Sequence, residues 1–175
     1  MKNVVIYWTL LSFQDWDMYV AATSKGLAYV GSENKPFEEL AKWAKKRFPK
    51  SELLENSEKL ELYTTELIQF LMGLRKNFTF SLDYDGTAFQ VDVWDALCGI
   101  PYGKKKTYSD IANEINRPKA VRAIGAAIGA NPILMAVPCH RVLGKNGSLT
   151  GYRGGLHMKT RLLDLEQKNN PLALS

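Results

Sequence analysis

The spacing of the apolar residues changes along this chain of 175 residues. As far as residue 82, several stretches of aromatic and β-branched residues alternate in the manner of strands. From Thr87 onward the apolar residues recur every three or four positions, which is the period of an amphipathic helix. The change predicts an α/β (α+β) fold with two domains, residues 1–82 and 83–175.

Three strands and two helices are predicted in the first domain, with a small antiparallel sheet. The turn Ser24-Lys25-Gly26 separates two strands, and the positive φ of a hairpin turn suits Gly26. Pro36 begins the first helix, because proline is favoured in a first turn. The predicted strands are Val4–Trp8, Trp16–Thr23 and Leu27–Val30, and the predicted helices are 37–48 and 60–74.

The second domain is predicted to be mainly helical, with a helix-turn-helix at its centre. The residues Thr87-x-x-Gln90 form a capping box, and the helix that they begin runs to Ile100. The turn Asn116-Arg117-Pro118 lies between two helices, which is the helix-turn-helix order. The other helices are predicted from Thr107 or Ser109 to Ile115, from Pro118 to Ala130 and from Leu156 to Gln167, and residues 133–155 are predicted to be irregular.

Basic residues are concentrated in the second domain. The net charge is +5, but from Ala96 onward 12 Lys and Arg accompany only four Asp and Glu. Such a segment attracts polyanions, including nucleic acid. A basic surface that binds no nucleic acid explains the charge equally well, so charge alone does not decide the partner.

Cysteine use and hydropathy predict an intracellular protein, cytoplasmic or, in a eukaryote, nuclear. The two cysteines are too few for a secreted disulfide scaffold, so reduced thiols are expected. No C-x-x-C pair occurs and there are only two histidines, so no metal site is expected, and no cofactor either. The sequence has no apolar run of the roughly 20 residues that span a membrane, and its first residues do not resemble a signal peptide.

Two faces of the helix after Pro118 differ in character. Val121, Ile124 and Ile128 share one face and are expected to point to the core. Each glycine inside the helix costs about 1 kcal/mol relative to alanine, and either tight packing on another helix, the more common cause, or close approach of a large partner would compensate. The second face carries one cation among small residues, Arg122, Gly125, Ala126 and Gly129.

The segment Pro138-Cys139-His140-Arg141 places a thiol beside an imidazole. A thiolate is a nucleophile and nearby cations lower the pKa of its thiol, so the pair predicts a reactive cysteine. A buried, inert cysteine beside a structural histidine is the more common outcome for an isolated pair. Adjacent side chains of an extended segment point apart, so a water between Cys139 and His140 is expected, with Glu166 orienting the imidazole.

The strongest motifs lie between Gly86 and Glu166. The Pro-Cys-His-Arg segment is followed by Gly151-Tyr152-Arg153-Gly154-Gly155 and, at the end, by Glu166. Upstream are Thr87-x-Phe89-Gln90-x-x-Val93-Trp94, Thr107-Tyr108-Ser109-x-Ile111-Ala112, Pro118-Lys119-Ala120-x-Arg122-Ala123-x-Gly125 and Asn131-Pro132. In order and spacing this set resembles the O6-alkylguanine-DNA alkyltransferase family. Residues 1–82 resemble it only in size and in their coarse strand-then-helix pattern.

The resemblance implies DNA repair by direct reversal, as a single-turnover methylated-DNA–protein-cysteine S-methyltransferase. Cys139 would take the alkyl group of O6-alkylguanine irreversibly, and O4-alkylthymine stays open as a second substrate. His140 would deprotonate Cys139 through water, and Glu166 would hold His140. Tyr108 would crowd the phosphate beside the target nucleotide and help to protonate the leaving base, and Asn131 would brace the turn that carries the cysteine.

The resemblance also implies the mode of DNA binding. The chain would bind double-stranded DNA from the minor groove, and Arg122 would enter the base stack where the guanine leaves. A monomer is expected for a separate reason, because the sequence shows no obvious oligomer seam. The small residues that face the DNA would be Ala123, Gly125, Ala126 and Gly129, and the pocket would be formed by Pro138, Tyr152, Arg153, Gly154, Gly155 and Lys159. The implied fold is a ribonuclease-H-like first domain and a winged helix-turn-helix-like second domain.

Two departures and three alternatives accompany the resemblance. Arg153 is bulky for its position, which puts tolerance of large alkyl groups in doubt. Gly129 lacks a cation that relatives can carry, so weaker DNA binding is expected.

The main alternative is a DNA-binding protein that senses alkyl damage without transferring it, but that class lacks the acceptor cysteine. A helix-turn-helix transcription factor and a thiol hydrolase are the others.

Overall fold

Three strands come first along the chain in the computed structural model, which describes residues 3–170, and helices alternate with short strands after them. The chain divides into two units, one ending at Asp85 and the next beginning at Gly86. The predicted division was at residue 82. Among the described residues, no helix is long and apolar enough to cross a membrane. The predicted α/β (α+β) fold is confirmed.

The first unit contains a four-stranded sheet in the order β3-β2-β1-β4. Strand β1 (Val5–Phe13) pairs antiparallel with β2 (Trp16–Thr23), which pairs antiparallel with β3 (Gly26–Val30). Strand β4 (Glu52–Glu55) pairs parallel with β1, so the sheet is mixed and not wholly antiparallel as expected. The sequence did not indicate β4 because four residues with a glutamate at each end show no clear alternation.

The turn between β2 and β3 requires a glycine. Gly26 has a φ of +150°, and a Cβ on it would lie 2.4 Å from the carbonyl oxygen of Ser81. The N–H of Leu27 donates to the same oxygen over 3.0 Å. The predicted hairpin is therefore present, and its turn is also the place where residues 81–83 join the strand.

The core of the first unit lies between the sheet and helix α1 (Phe37–Arg47). The ring centroids of Tyr29 and Trp43 are 4.9 Å apart. Helix α2 (Glu61–Leu71) adds the fully buried side chains of Leu67 and Phe70. The central buried residues are Ile6, Ala21, Tyr29, Leu40 and Ala44.

Over its described residues, 86–170, the second unit contains four α-helices and a two-stranded parallel sheet. The indole N–H of Trp94 donates to the carbonyl oxygen of Ala127 over 2.9 Å, which joins the first and third helices. A capping box begins the first helix at Thr87, as the sequence predicts. A second capping box, at Thr107, begins the next helix, for which the sequence left Thr107 or Ser109 open as the cap. The helices are α3 (Ala88–Cys98), α4 (Tyr108–Glu114), α5 (Val121–Gly129) and α6 (Leu156–Lys168), and the strands are β5 (Lys106–Thr107) and β6 (Val142–Leu143).

Two local predictions in this unit are wrong. Helix α5 begins at Val121, and Val121 is 38% exposed instead of lying in the core, because the chain is still in the turn at Ala120. The segment Cys139–Arg141 is a 3₁₀ turn, not an extended chain, so the alternation of an extended segment does not apply to Cys139 and His140.

Candidate active site

Cys139 lies at the start of the 3₁₀ turn and is only 1% exposed. Pro138 precedes it and is also buried. The Cys139 sulfur accepts a hydrogen bond from Nδ2 of Asn131 over 3.2 Å. Because α5 ends at Gly129, this bond connects the sulfur to the residue that follows the helix-turn-helix. Cys98, the other cysteine, is exposed.

Asn131 is completely buried and has every polar atom of its side chain in use. Its Nδ2 donates to the carbonyl oxygens of Val137 over 3.2 Å and Ile133 over 3.3 Å, besides the sulfur. Its Oδ1 accepts from the N–H of Ile133 over 2.9 Å. The side chain therefore holds residues 131–139 as one compact turn. The family resemblance implies the same bracing role for Asn131.

Burial raises the pKa of the Cys139 thiol. The hydrogen bond from Asn131 and the positive charges of Arg153 and Lys159 lower this pKa, but by less. The thiol is therefore protonated at neutral pH, contrary to the expectation that neighbouring cations would make it a thiolate. A sulfur in this environment needs a base that takes its proton when it reacts.

His140 is completely buried and contacts Glu166 through its Nε2. Its Nδ1 is buried and has no hydrogen-bond partner among residues 3–170. Since a carboxylate only accepts, Nε2 carries a proton, and the neutral imidazole then has its lone pair on Nδ1. His140 thus offers a basic nitrogen inside the protein.

Glu166 lies on α6, is 1% exposed and binds three donors. Besides His140, it accepts from Nε of Arg141 over 2.8 Å and from the N–H of Gly103 over 3.0 Å. Arg141 also donates to the carbonyl oxygen of Ile100 over 2.6 Å. The sequence analysis assigned no role to Arg141, although it lies within the Pro-Cys-His-Arg motif.

The pKa values of this buried group move in the directions that a neutral imidazole and an ionised carboxylate require. Burial is the largest effect on His140 and lowers its pKa below the ordinary 6.5; Glu166 raises this pKa, whereas the charges of Arg141 and Lys159 lower it further. Burial alone would raise the pKa of Glu166, but His140 and Arg141 bring it down to about 2. At neutral pH the pair is therefore imidazole and carboxylate, ready to become imidazolium and carboxylate when a proton arrives.

The 151–155 loop precedes α6 and packs against the turn that holds Cys139. Tyr152 is buried, and a Cβ on Gly154 would lie 3.0 Å from a methyl carbon of Leu134. Arg153, expected at a pocket rim, donates from Nε to the carbonyl oxygen of Asn131 over 2.6 Å. Gly155 has a φ of +89° and begins α6.

Lys159 is completely buried although it carries an ammonium group. Its Nζ donates to the carbonyl oxygens of Val142 over 2.7 Å and Thr150 over 3.0 Å. It therefore closes the base of the segment between β6 and the 151–155 loop. No sequence signal pointed to Thr150, because its role lies in a backbone carbonyl.

Tyr108 is the first residue of α4 and is half-buried beside α5. Its hydroxyl donates to the Thr150 carbonyl oxygen over 3.5 Å, and a Cβ on Gly125 would lie 4.0 Å from its ring. The tyrosine thus borders both the small-residue face of α5 and the segment that Lys159 holds.

The small-residue face of α5 is open. Arg122, Ala123, Ala126 and Gly129 are exposed, and Gly125 is half-buried. A Cβ on Gly129 would meet no described atom within 4 Å. Within the second unit, tight packing on another helix therefore does not account for this glycine, and close approach of an external partner stays as its explanation.

Both units are similar to domains of known proteins. Residues 6–84 match the ribonuclease-like domain of 6-O-methylguanine DNA methyltransferase, and residues 88–168 match its DNA-binding domain. The inducible methylated-DNA–protein-cysteine methyltransferase of Bacillus subtilis is 66% identical to the chain over 163 residues, which are 93% of this chain and 91% of that protein.

Solved structures are similar over nearly the whole length. The O6-methylguanine methyltransferase of Mycobacterium tuberculosis has a TM-score of 0.81 and 32% identity, covering 94% of each chain. The OGT of the same organism in complex with DNA has a TM-score of 0.80 and 32% identity, covering 97% of each chain.

Proposed function

We propose that Cys139 is the alkyl acceptor of this chain, which belongs to the 6-O-methylguanine DNA methyltransferase family. The chain repairs DNA directly, by transferring an alkyl group to one of its own cysteines. The observation that carries the choice of cysteine is the environment of Cys139, whose sulfur is bound by Asn131 and whose neighbour His140 is held by Glu166. Among residues 3–170, no hydrogen bond joins Cys98 to a base. Although Cys98 is exposed, partial desolvation of its sulfur and the charge of Asp95 raise the pKa of its thiol to about 11.

The proposed substrate is O6-alkylguanine in double-stranded DNA. The alkylated oxygen is stacked inside the duplex, so the nucleotide must be extruded at a cost of a few kcal/mol. The exposed small-residue face of α5 suits the narrow minor groove, and Arg122 is the one long side chain that could fill the vacated stack. The 12 bases against four acids from Ala96 onward favour the approach of this unit to DNA.

The proposed proton route runs from Cys139 to His140. As the sulfur attacks the alkyl carbon, its proton passes through a water to Nδ1 of His140, the buried nitrogen without a described partner. Glu166 and the imidazolium then form an ion pair, and the carboxylate is already ionised because its pKa is about 2.

The bond changes in this step make the protein a single-use acceptor. A sulfur–carbon bond forms while the bond from the alkyl carbon to O6 breaks, and the electron pair of that bond stays on the guanine. Tyr108 would help to protonate the leaving base, since its ring borders the small-residue face of α5 at Gly125. The product is a thioether, which thiol exchange does not reverse, so each molecule acts once.

The other functions fit less well. A protein that only senses alkyl damage needs neither Cys139 nor a buried histidine–carboxylate pair beside it. A helix-turn-helix transcription factor needs polar side chains to read bases, and the exposed face of α5 has one arginine among small residues. A thiol hydrolase would regenerate its cysteine, which a thioether does not allow.

The remaining proposals concern setting. The protein acts as a monomer, in the cytoplasm or, in a eukaryotic cell, in the nucleus, where its DNA substrate lies and thiols stay reduced. O4-alkylthymine is proposed as a weaker second substrate, because it too presents an alkylated exocyclic oxygen.

Paired cysteine variants test the assignment. A duplex with one O6-methylguanine is incubated with wild-type protein, C139S or C98S, and restored guanine is counted. The wild-type protein and C98S are expected to restore one guanine per molecule, whereas C139S binds the duplex and restores none. Repair by C139S would refute the assignment, and binding without repair by all three proteins would support the sensing function.

A further inference from the structure

We propose that Arg153 is a positioning residue that ties the 151–155 loop to the end of α5 and thereby holds the sulfur of Cys139 for alkyl transfer. This inference rests on the proposed function of Cys139. Arg153 would act through Asn131, whose backbone it binds and whose side chain binds the sulfur.

The first support is the pair of bonds made by the guanidinium group. Its Nε donates to the carbonyl oxygen of Asn131 over 2.6 Å, and its Nη2 donates to that of Pro132 over 3.2 Å. The planar fork of arginine suits two successive carbonyls, which the ammonium group of lysine does not match. Both carbonyls follow the C-terminal end of α5, where a cation is favourable.

The second support is the packing beside Arg153. A Cβ on Gly154 would lie 2.7 Å from the sulfur of Met158 and 3.0 Å from a methyl carbon of Leu134. The loop therefore touches the turn of residues 131–139 at two successive positions, by hydrogen bonds at Arg153 and by close packing at Gly154.

The third support is the position of Asn131 between Arg153 and the sulfur. The backbone of Asn131 accepts the bond from Arg153, and its side chain donates to the Cys139 sulfur over 3.2 Å. Its N–H is bound in turn to the carbonyl oxygen of Ile128 in α5, over 3.1 Å. Loss of the hydrogen bonds from Arg153 would therefore affect both the position of the sulfur and α5, the helix whose exposed face is proposed to contact the DNA.

The single use of each molecule separates positioning from folding in one experiment. Single-turnover transfer from a saturating O6-methylguanine duplex yields an amplitude, which counts active molecules, and a rate constant, which reports the geometry of the reacting ones. The variants are R153A, R153K and the control K168A, which removes an equal charge from the exposed end of α6.

R153A is expected to lower the rate constant by about tenfold or more, because small misplacements of reacting atoms are costly. R153K is expected to recover only part of that loss, and K168A to match the wild-type protein. A rate constant for R153A within twofold of wild type would overturn the proposal, even if its amplitude fell. If R153K had the wild-type rate constant, the planar guanidinium fork would have no role, and the positive charge alone would account for the effect of R153A. If wild-type protein itself transferred nothing to Cys139, the proposed function would fail instead.

Discussion

Replacing Glu166 by glutamine should destabilise the folded protein by about 3 kcal/mol at neutral pH. Glu166 is 1% exposed and has a pKa of about 2 against an ordinary 4.5, and each pH unit of that difference is worth about 1.4 kcal/mol. The amide keeps the shape of the side chain but removes the charge that faces His140 and Arg141. The amide also turns an N–H toward one of these donors. Breaking a buried ion pair costs roughly 3–5 kcal/mol, which is similar to the figure obtained from the pKa shift.

Urea unfolding followed by far-UV circular dichroism measures this change. Asp164, an exposed acid on the same helix, provides the control, and D164N should change the free energy of unfolding by less than about 0.5 kcal/mol. The pH dependence has a defined sign. Because the folded pKa of Glu166 is lower than the unfolded one, its contribution is complete above pH 4.5 and is lost as the pH falls toward 2.

The difference between wild-type protein and E166Q should therefore shrink below pH 4.5. A destabilisation under about 1 kcal/mol at neutral pH is the size expected for an exposed salt bridge, and it would refute the stabilisation of the fold by a buried Glu166 ion pair. A difference that grew as the pH fell below 4.5 would contradict the sign of the shift.

Three further predictions concern the reaction and the DNA. Burial lowers the pKa of His140 below 6.5, so the single-turnover rate constant should stay nearly level from neutral pH to 6.5 and fall only at lower pH. A rate constant that is already halved at pH 6.5 in a stopped-flow pH series would contradict this. R122A should react poorly with duplex DNA but retain its reaction with the free alkylated base, whereas equal losses in the two rate assays would argue against a role in extrusion. G129R should tighten DNA binding and raise the slope of log Kd against log salt by about 0.9, because the new side chain has free space and adds one phosphate contact. An unchanged slope would place Gly129 away from the DNA.

Much of the second unit could be predicted from local sequence signals. Capping boxes at Thr87 and Thr107 give the starts of α3 and α4, since both capping partners lie within four residues of each other. The start of α5 was less accurate, because the turn at Asn116 extends to Ala120 and no side-chain cap marks its end. Strand β4 was missed, because a short parallel edge strand depends on its partner β1 more than on its own pattern.

The site was predicted as a set of residues but not as an electrostatic environment. The motif placed His140 beside Cys139, and the expectation of cations near the thiol suggested a lowered pKa for Cys139. The fold buries the sulfur completely, and burial outweighs Arg153 and Lys159, so the pKa is raised. Burial depends on contacts between residues that are apart in sequence, which no local pattern reports. Lys159, for example, contacts Val142, 17 residues away, and Thr150, nine residues away.

The same limit applies to Arg141 and Arg153. An arginine bound to backbone carbonyls leaves no signal at the accepting residues, because every residue type has a carbonyl. Their partners, Ile100 and Asn131, were identified only by the structure.

The central claim is that Cys139 accepts one alkyl group and is consumed. The most direct measurement is the intact mass of the protein after incubation with excess O6-methylguanine duplex, followed by mapping of the modified peptide. The predicted result is a gain of one methyl group per molecule, located on Cys139, with restored guanine equal in amount to modified protein. Restored guanine in excess of protein, or repair with an unmodified Cys139, would contradict the account.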